Sequence, residues 1–224
     1  MVCINSMNIL AIESSTEQGT LAFFEQGQRL WGAKVESGRN HNTEVLVELE
    51  QKFAEFEQRP DLILVGAGPG NYTGVRVAIS IAQGVEVVLG ARAVVVPSFL
   101  SVCEEVSQPV IFGNARRSEF FQTSVNENYE MAEITIMSLE ETSVFSKQYV
   151  GKPLVCFEQS EVIERQIEGS EIIYHQPEAQ KLISTWLKMS DEQRAYYQKQ
   201  SMEPVYLRPP NMQKSSKNHP LLSL

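Results

Sequence analysis

Apolar and polar positions alternate in short blocks over the first third of the chain, and the block lengths predict its elements. Residues 8–13 form a short apolar run, residues 14–19 a polar turn, and residues 20–24 a second apolar run bounded by Glu25, Gln26 and Gly27. Residues 28–36 make a third. Turns this short join antiparallel neighbours, so a three-stranded meander is expected. The period then changes. Over residues 43–57 the apolar Val45, Leu46, Leu49, Phe53 and Phe56 fall on one helical face and Glu44, Glu48, Gln51 and Lys52 lie elsewhere, with Asn42 or Thr43 as the cap. Pro60 closes that region, and residues 62–65 are continuously apolar, as a parallel strand covered on both faces is. Across residues 73–89 the polar exceptions Arg76, Ser80, Gln83 and Glu86 recur at steps of four, three and three, which predicts a buried helix with one wet stripe. Gly74, Ala78 and Ala82 stand one turn apart on it. Small side chains there let another backbone come close, either the chain's own sheet or a second subunit. Residues 93–96 supply a further strand, stopped by Pro97.

Meander, helix, strand, helix, strand is the half-domain plan of the ribonuclease-H-like and actin-like architecture. The second half repeats it less legibly. Residues 110–112 and 118–125 read as strands flanking a turn at 113–117, with a weaker strand at 134–137. Residues 154–157 and 171–174 read as strands, and residues 161–167 and 177–189 as helices, the latter with Leu182, Ile183, Trp186 and Leu187 on one side. The expected fold is therefore α/β, a two-lobed actin-like (ASKHA) fold of mixed sheets flanked by helices. Residues 7–103 would be the N-terminal lobe with its interface helices, residues 104–210 a shorter C-terminal lobe, and residues 211–224, polar and without period, a flexible tail. Residues 1–6 read as an upstream start or a loose lead.

Composition narrows the function. At 224 residues and 42% hydrophobic, the chain can bury a proper core. A formal charge of -9 argues against a protein that holds nucleic acid by itself and leaves room for a partner that carries it. Cys3, Cys103 and Cys156 are odd in number and far apart, as reduced cytoplasmic thiols are. No run reads as a signal peptide or membrane span, so a cytoplasmic location is expected.

The candidate chemistry centres on GAGPGNYTGVR, residues 66–76. A Walker loop needs Lys and then Ser or Thr after its last glycine, yet Val75 and Arg76 follow Gly74. Neither register of the dinucleotide fingerprint fits either. What is left is a tight turn into a helix. In phosphotransferases of this architecture the first strand ends in an acid and the next turn offers amides and hydroxyls to a phosphate; Glu13, Ser14, Ser15 and Thr16 hold that place, with Gly68 and Gly70 opposite. The alternative is a polar hairpin bonded to its own backbone. His41, His175 and His219 are too far apart in sequence for a shared helix face to hold a metal. Arg116 and Arg117 form a basic turn that suits an acidic partner or a phosphate, or is simply exposed.

Six stretches carry a resemblance: LAIESST (10–16), HNTEVL (41–46), GPGNYTGVRVAISIAQGV (68–85), PSFLSV (97–102), NARRSEFFQ (114–122) and PVYLRPP (204–210). In this order they resemble the TsaB (YeaZ) family. The resemblance implies a noncatalytic member of the actin-like fold needed for N6-threonylcarbamoyladenosine on tRNA. It would pair with TsaD, which carries the transfer chemistry, and be joined by the ATPase TsaE, reaching tRNA only through that complex. By position, the two helices would present His41, Glu44, Val45, Glu48, Gly74, Val75, Ala78, Ile79 and Ala82 to TsaD or, in its absence, to a second copy. The residues at 13–16, 68 and 70 would be a vestigial phosphate loop, with no cofactor held tightly by this chain and ATP left to the partner complex. The histidine pair of the catalytic relative, four residues apart, has no counterpart, since Val45 lies four after His41. Glu13, Asn71, Tyr72, Gln83 and Asn114 depart from the family pattern. Competing readings are an ATP-dependent phosphotransferase using residues 14–16 and 68–70, and a peptidase; bulk at Ala78 is expected to separate the first of these from the partner subunit.

Overall fold

A computed structural model describes residues 4–36, 41–55, 58–149, 153–159, 161–167, 169 and 171–208. The residues expected to form the tail lie outside it. In the first half, strands β1 (Ile9–Glu13), β2 (Gln18–Glu25) and β3 (Gln28–Glu36) form the expected meander, followed by helix α1 (His41–Glu55), strand β4 (Leu62–Gly66), helix α2 (Tyr72–Leu89) and strand β5 (Arg92–Val96). The sheet order is β3-β2-β1-β4-β5, with β1 antiparallel to β2 and parallel to β4. The turn from β2 to β3 takes Gln26 and Gly27 at φ 50° and 80°, the left-handed pair that a tight hairpin requires.

The second half carries β6 (Val110–Arg116), β7 (Glu119–Ser124), β8 (Thr135–Met137), α3 (Leu139–Gln148), β9 (Pro153–Cys156), α4 (Glu161–Gln166) and β10 (Glu171–Tyr174). Its order, β10-β9-β6-β7-β8, is the first sheet's order element for element. Two sheets of one plan, flanked by helices, make the actin-like fold. Helices α5 (Ala179–Lys188) and α6 (Asp191–Tyr197) follow.

Alternation along β1 assigns the layers. Leu10 and Ile12 point into a core with Val75, Ala78 and Ala82 of α2 and Val45 and Leu49 of α1. Ile9 and Ala11 point the other way, into a core shared with Leu182, Ile183 and Trp186 of α5 and with Ile111, Phe121 and Val155 of the second sheet. The far face of that sheet packs Phe112, Phe120 and Leu154 against Phe145 of α3 and Ile163 of α4. The layers thus run helices, sheet, α5, sheet, helices.

Several expectations change. Although α5 follows the second sheet in sequence, it packs on β1, β2 and β4, so the expected border at 103/104 is not a packing border. α1 already begins at His41, which places Asn42 and Thr43 inside the helix rather than at its cap. Leu46 is exposed despite its place on the predicted apolar face. α2 is not uniformly buried: its last turn exposes Val87 and Val88. By length and composition α2 is apolar enough to cross a membrane, contrary to expectation, although its buried residues pack on its own sheet. The expected turn at 113–117 is mostly strand, because β6 continues to Arg116 and turns only at Arg117 and Ser118. Helices α3 and α6 were not anticipated, yet both open on capping residues: Ser138 and Glu141 bond each other's backbone, and Ser190 with Gln193 forms a full capping box.

Candidate functional site

The end of β1, the glycine loop and the start of α2 meet at one place. Gly70 and Gly74 stand directly on the backbone of the serine turn: a Cβ at Gly70 would lie 2.0 Å from the Ser15 carbonyl oxygen, and one at Gly74 2.3 Å from that of Ser14. Only glycine permits this approach. Several donors of the two loops are used inside the chain. Asn71 N donates to Ser15 O at 2.6 Å, and the Asn71 side chain caps α2 by accepting from Thr73 N and Gly74 N, both at 3.2 Å. Gly68 N donates to Ser98 Oγ at 3.0 Å, and Thr16 Oγ1 donates to Gln18 O at 3.1 Å. Ser14 and Ser15 are buried. These bonds seat the glycine loop on the serine turn.

Glu13 is wholly buried, and its Oε1 accepts from Ser15 N at 2.6 Å while Oε2 makes no hydrogen bond. Burial raises its pKa, an effect the neighbouring Ser15 and Ser98 hydroxyls and the Ser14 and Ser15 amides offset only in part. The carboxyl packs beneath the loop, where a Cβ at Gly66 would strike Oε2 at 1.7 Å.

The residues expected at a partner interface divide. Gly74, Val75, Ala78, Ile79 and Ala82 of α2 and Val45 of α1 are buried against the chain's own sheet. The small-residue stripe serves intramolecular packing, a correction to its expected place on a subunit contact. Glu44 is exposed and Glu48 half-buried, while the side chain of His41 lies outside the described residues. The outward faces of α1 and α2 instead carry Leu46 and Val47, Val87 at 84% exposure and Val88 at 79%. Periodicity alone hid Val87 and Val88, because an apolar residue in a mostly apolar helix gives no signal of which side is wet.

A Ser-His-Glu alignment was also not anticipated. His175 Nε2 lies 3.2 Å from Ser101 Oγ and Nδ1 3.3 Å from Glu105 Oε2, whose other oxygen pairs with Lys181 at 2.7 Å. Ser101 is fully buried and donates to Ser98 O at 2.7 Å, so its hydroxyl is not presented to a substrate. Burial and then Lys181 lower the His175 pKa, and Lys181 holds Glu105 below the carboxylate range. The group ties residues 98–105 to α5. Among the described residues no three His, Cys, Asp or Glu side chains gather as a metal site.

The family described as "TsaD: tRNA N6-adenosine threonylcarbamoyltransferase" matches residues 35–151, just over half of the chain. The tRNA threonylcarbamoyladenosine biosynthesis protein TsaB of Haemophilus influenzae is 30% identical over 97 residues, 42% of this chain. That stretch spans only 40% of the relative's own length. YeaZ from Pseudomonas aeruginosa superposes with a TM-score of 0.65 at 21% identity, covering 89% of this chain and 99% of its own. A Pseudomonas aeruginosa protein described as similar to peptidase YEAZ gives 0.67 at 21% identity, covering 90% of this chain and 100% of its own. Both likenesses show the fold.

Proposed function

Because the chain belongs to the family described as TsaD: tRNA N6-adenosine threonylcarbamoyltransferase, and within it resembles TsaB/YeaZ, we propose that it serves N6-threonylcarbamoyladenosine formation on tRNA as a noncatalytic partner subunit. It binds TsaD, the subunit that carries the transfer, through the outward faces of α1 and α2, and pairs with a second copy when TsaD is absent. TsaE joins the assembly, ATP is used there, and tRNA is reached through it.

The observation that carries this reading is the pairing of a closed phosphate loop with an exposed apolar helix face. Gly70 and Gly74 sit on the serine turn so closely that no side-chain carbon fits between. Leu46 and Val47 on α1, and Val87 and Val88 on α2, leave apolar side chains exposed on two helices that touch, and exposed apolar surface suits a protein contact. A metal site like the catalytic relative's is not favoured, since Val45 stands where the second histidine would and is buried in the core. The glycine loop of the phosphotransferase reading rests on the serine turn, and Ser101, which a peptidase would need beside His175, is buried.

The test is a reconstitution with TsaC, TsaD, TsaE, tRNA, threonine, bicarbonate and ATP, with and without this chain. Modified adenosine is expected only when the chain is present, and none from the chain alone. Equal product in its absence would sink the proposal.

A further inference from the structure

Residues 204–208 strap the glycine loop to the β6–β7 hairpin. Val205 N donates to Ala67 O at 2.7 Å. The Tyr206 hydroxyl accepts from Arg76 Nε at 3.2 Å, and its ring centre lies 5.4 Å from that of Tyr72. The Arg76 guanidinium sits 4.4 Å over the Tyr72 ring. Two residues on, Arg208 pairs with Glu119, which follows the hairpin's turn and lies across from Arg116. Two residues of extended chain span at most about 7 Å, so the arginine-tyrosine cluster and the hairpin adjoin.

The hairpin tip adds two more arginines. Arg116 and Arg117 are exposed, and among the described residues no carboxylate lies within ion-pair distance of either guanidinium. Their backbone is unusual. Arg116, Arg117 and Ser118 take φ of 67°, 57° and 60°, three consecutive left-handed residues where Asn and Gly are the common choice. Strained backbone of this kind clusters at functional sites, and here it holds two adjacent arginines outward on a chain of net charge -9. With Arg208 paired to Glu119, the seam carries three arginines, Arg76, Arg116 and Arg117, that have no carboxylate within ion-pair distance among the described residues, beside two tyrosines.

We propose that Arg76, Tyr72, Tyr206, Arg116 and Arg117, brought together by the Arg208–Glu119 pair, form a track that contacts an RNA strand, the tRNA of the assembly proposed above, on which this inference rests. Guanidinium forks match phosphate oxygens bidentately, and an exposed tyrosine already stacked with arginine offers a face to an unpaired base. An acidic protein surface would use the arginines and leave the rings idle. With few phosphates engaged and a net negative chain, the contact adds to tRNA binding within the complex and is weak and salt-sensitive in the chain alone.

The experiment measures binding of an unmodified tRNA transcript to the purified complex of this chain with TsaD over a salt series. R116Q/R117Q is expected to weaken binding about fivefold or more at about 0.1 M salt and to make log K against log salt shallower by about 1 to 2. R116K/R117K should keep the wild-type slope, and co-purification with TsaD should be unchanged by either pair. Wild-type affinity and slope in an assembled R116Q/R117Q complex would overturn the track. So would loss of assembly, because the tip would then face protein. If the wild-type chain forms no complex with TsaD, the functional reading fails separately; the same series on the chain alone then decides the track, which falls if R116Q/R117Q leaves the slope unchanged.

Discussion

Gly70 and Glu13 show how single residues close this site. A methyl at Gly70 meets a backbone carbonyl, which cannot rotate aside as a long side chain can. Gly70→Ala is therefore expected to lower stability by about 3 kcal/mol in chemical denaturation, since the loop must lift from the serine turn. A variant with wild-type stability would show the loop to be loosely seated. Glu13 works through its proton. Its folded pKa is raised above the ordinary 4.5, so the stability it contributes is full below that value and is lost as pH rises through the raised one. Glu13→Gln keeps an oxygen for Ser15 N and never ionises. It should be more stable than wild type at pH 8, by on the order of 1 kcal/mol, with the gap closing toward pH 4. Thermal unfolding at both pH values checks this, and a gap that widens toward acid would contradict the assignment. In the sequence Glu13 was visible as the acid at the end of the first strand. Its burial was not, because that depends on Gly66 and Ser98, 53 and 85 residues away in the chain.

At the scale of elements, α2 separates what periodicity shows from what it hides. Its polar positions located the helix and its wet stripe. Its small residues pointed to a close approach, and the two candidates for that approach differ only in what lies across from them. The chain's own sheet is there. Ala78→Leu would consequently overpack the monomer and cost about 1–3 kcal/mol of stability, so it cannot isolate the partner contact as expected from sequence. Val87→Asp with Val88→Asp is the sharper probe. Both side chains are exposed, so stability should change by less than about 0.5 kcal/mol while association with TsaD falls at least tenfold. Intact association, read by co-purification or calorimetry, would remove this end of α2 from the proposed interface. The β6–β7 turn was misplaced for a related reason: Asn114 through Arg116 are polar or small and look like loop, but antiparallel pairing with β7 carries them as strand.

For the whole molecule, α5 is the organising piece. The sequence gives an amphipathic helix with Leu182, Ile183 and Trp186 on one side, and nothing local says which sheet receives it. In the structure that side fills the core between the two sheets, where Trp186 is almost wholly buried. The two halves then share one core and should unfold together. Trp186→Ala is expected to cost about 3–5 kcal/mol, and fluorescence and far-ultraviolet circular dichroism should report coincident transitions. Separate transitions for the two halves would restore the division at residue 103.

Period and punctuation determined most elements other than α3 and α6, the meander in each half and the actin-like plan, because each is written in residues near one another in the chain. The motifs carried the family resemblance for the same reason. Tertiary structure decided which face of α2 is free, that the glycine loop rests on the serine turn, and that the 204–208 strap joins Arg76 to the β6–β7 hairpin. Those depend on contacts between residues far apart in sequence, and burial and charge partnership exist only once those residues meet.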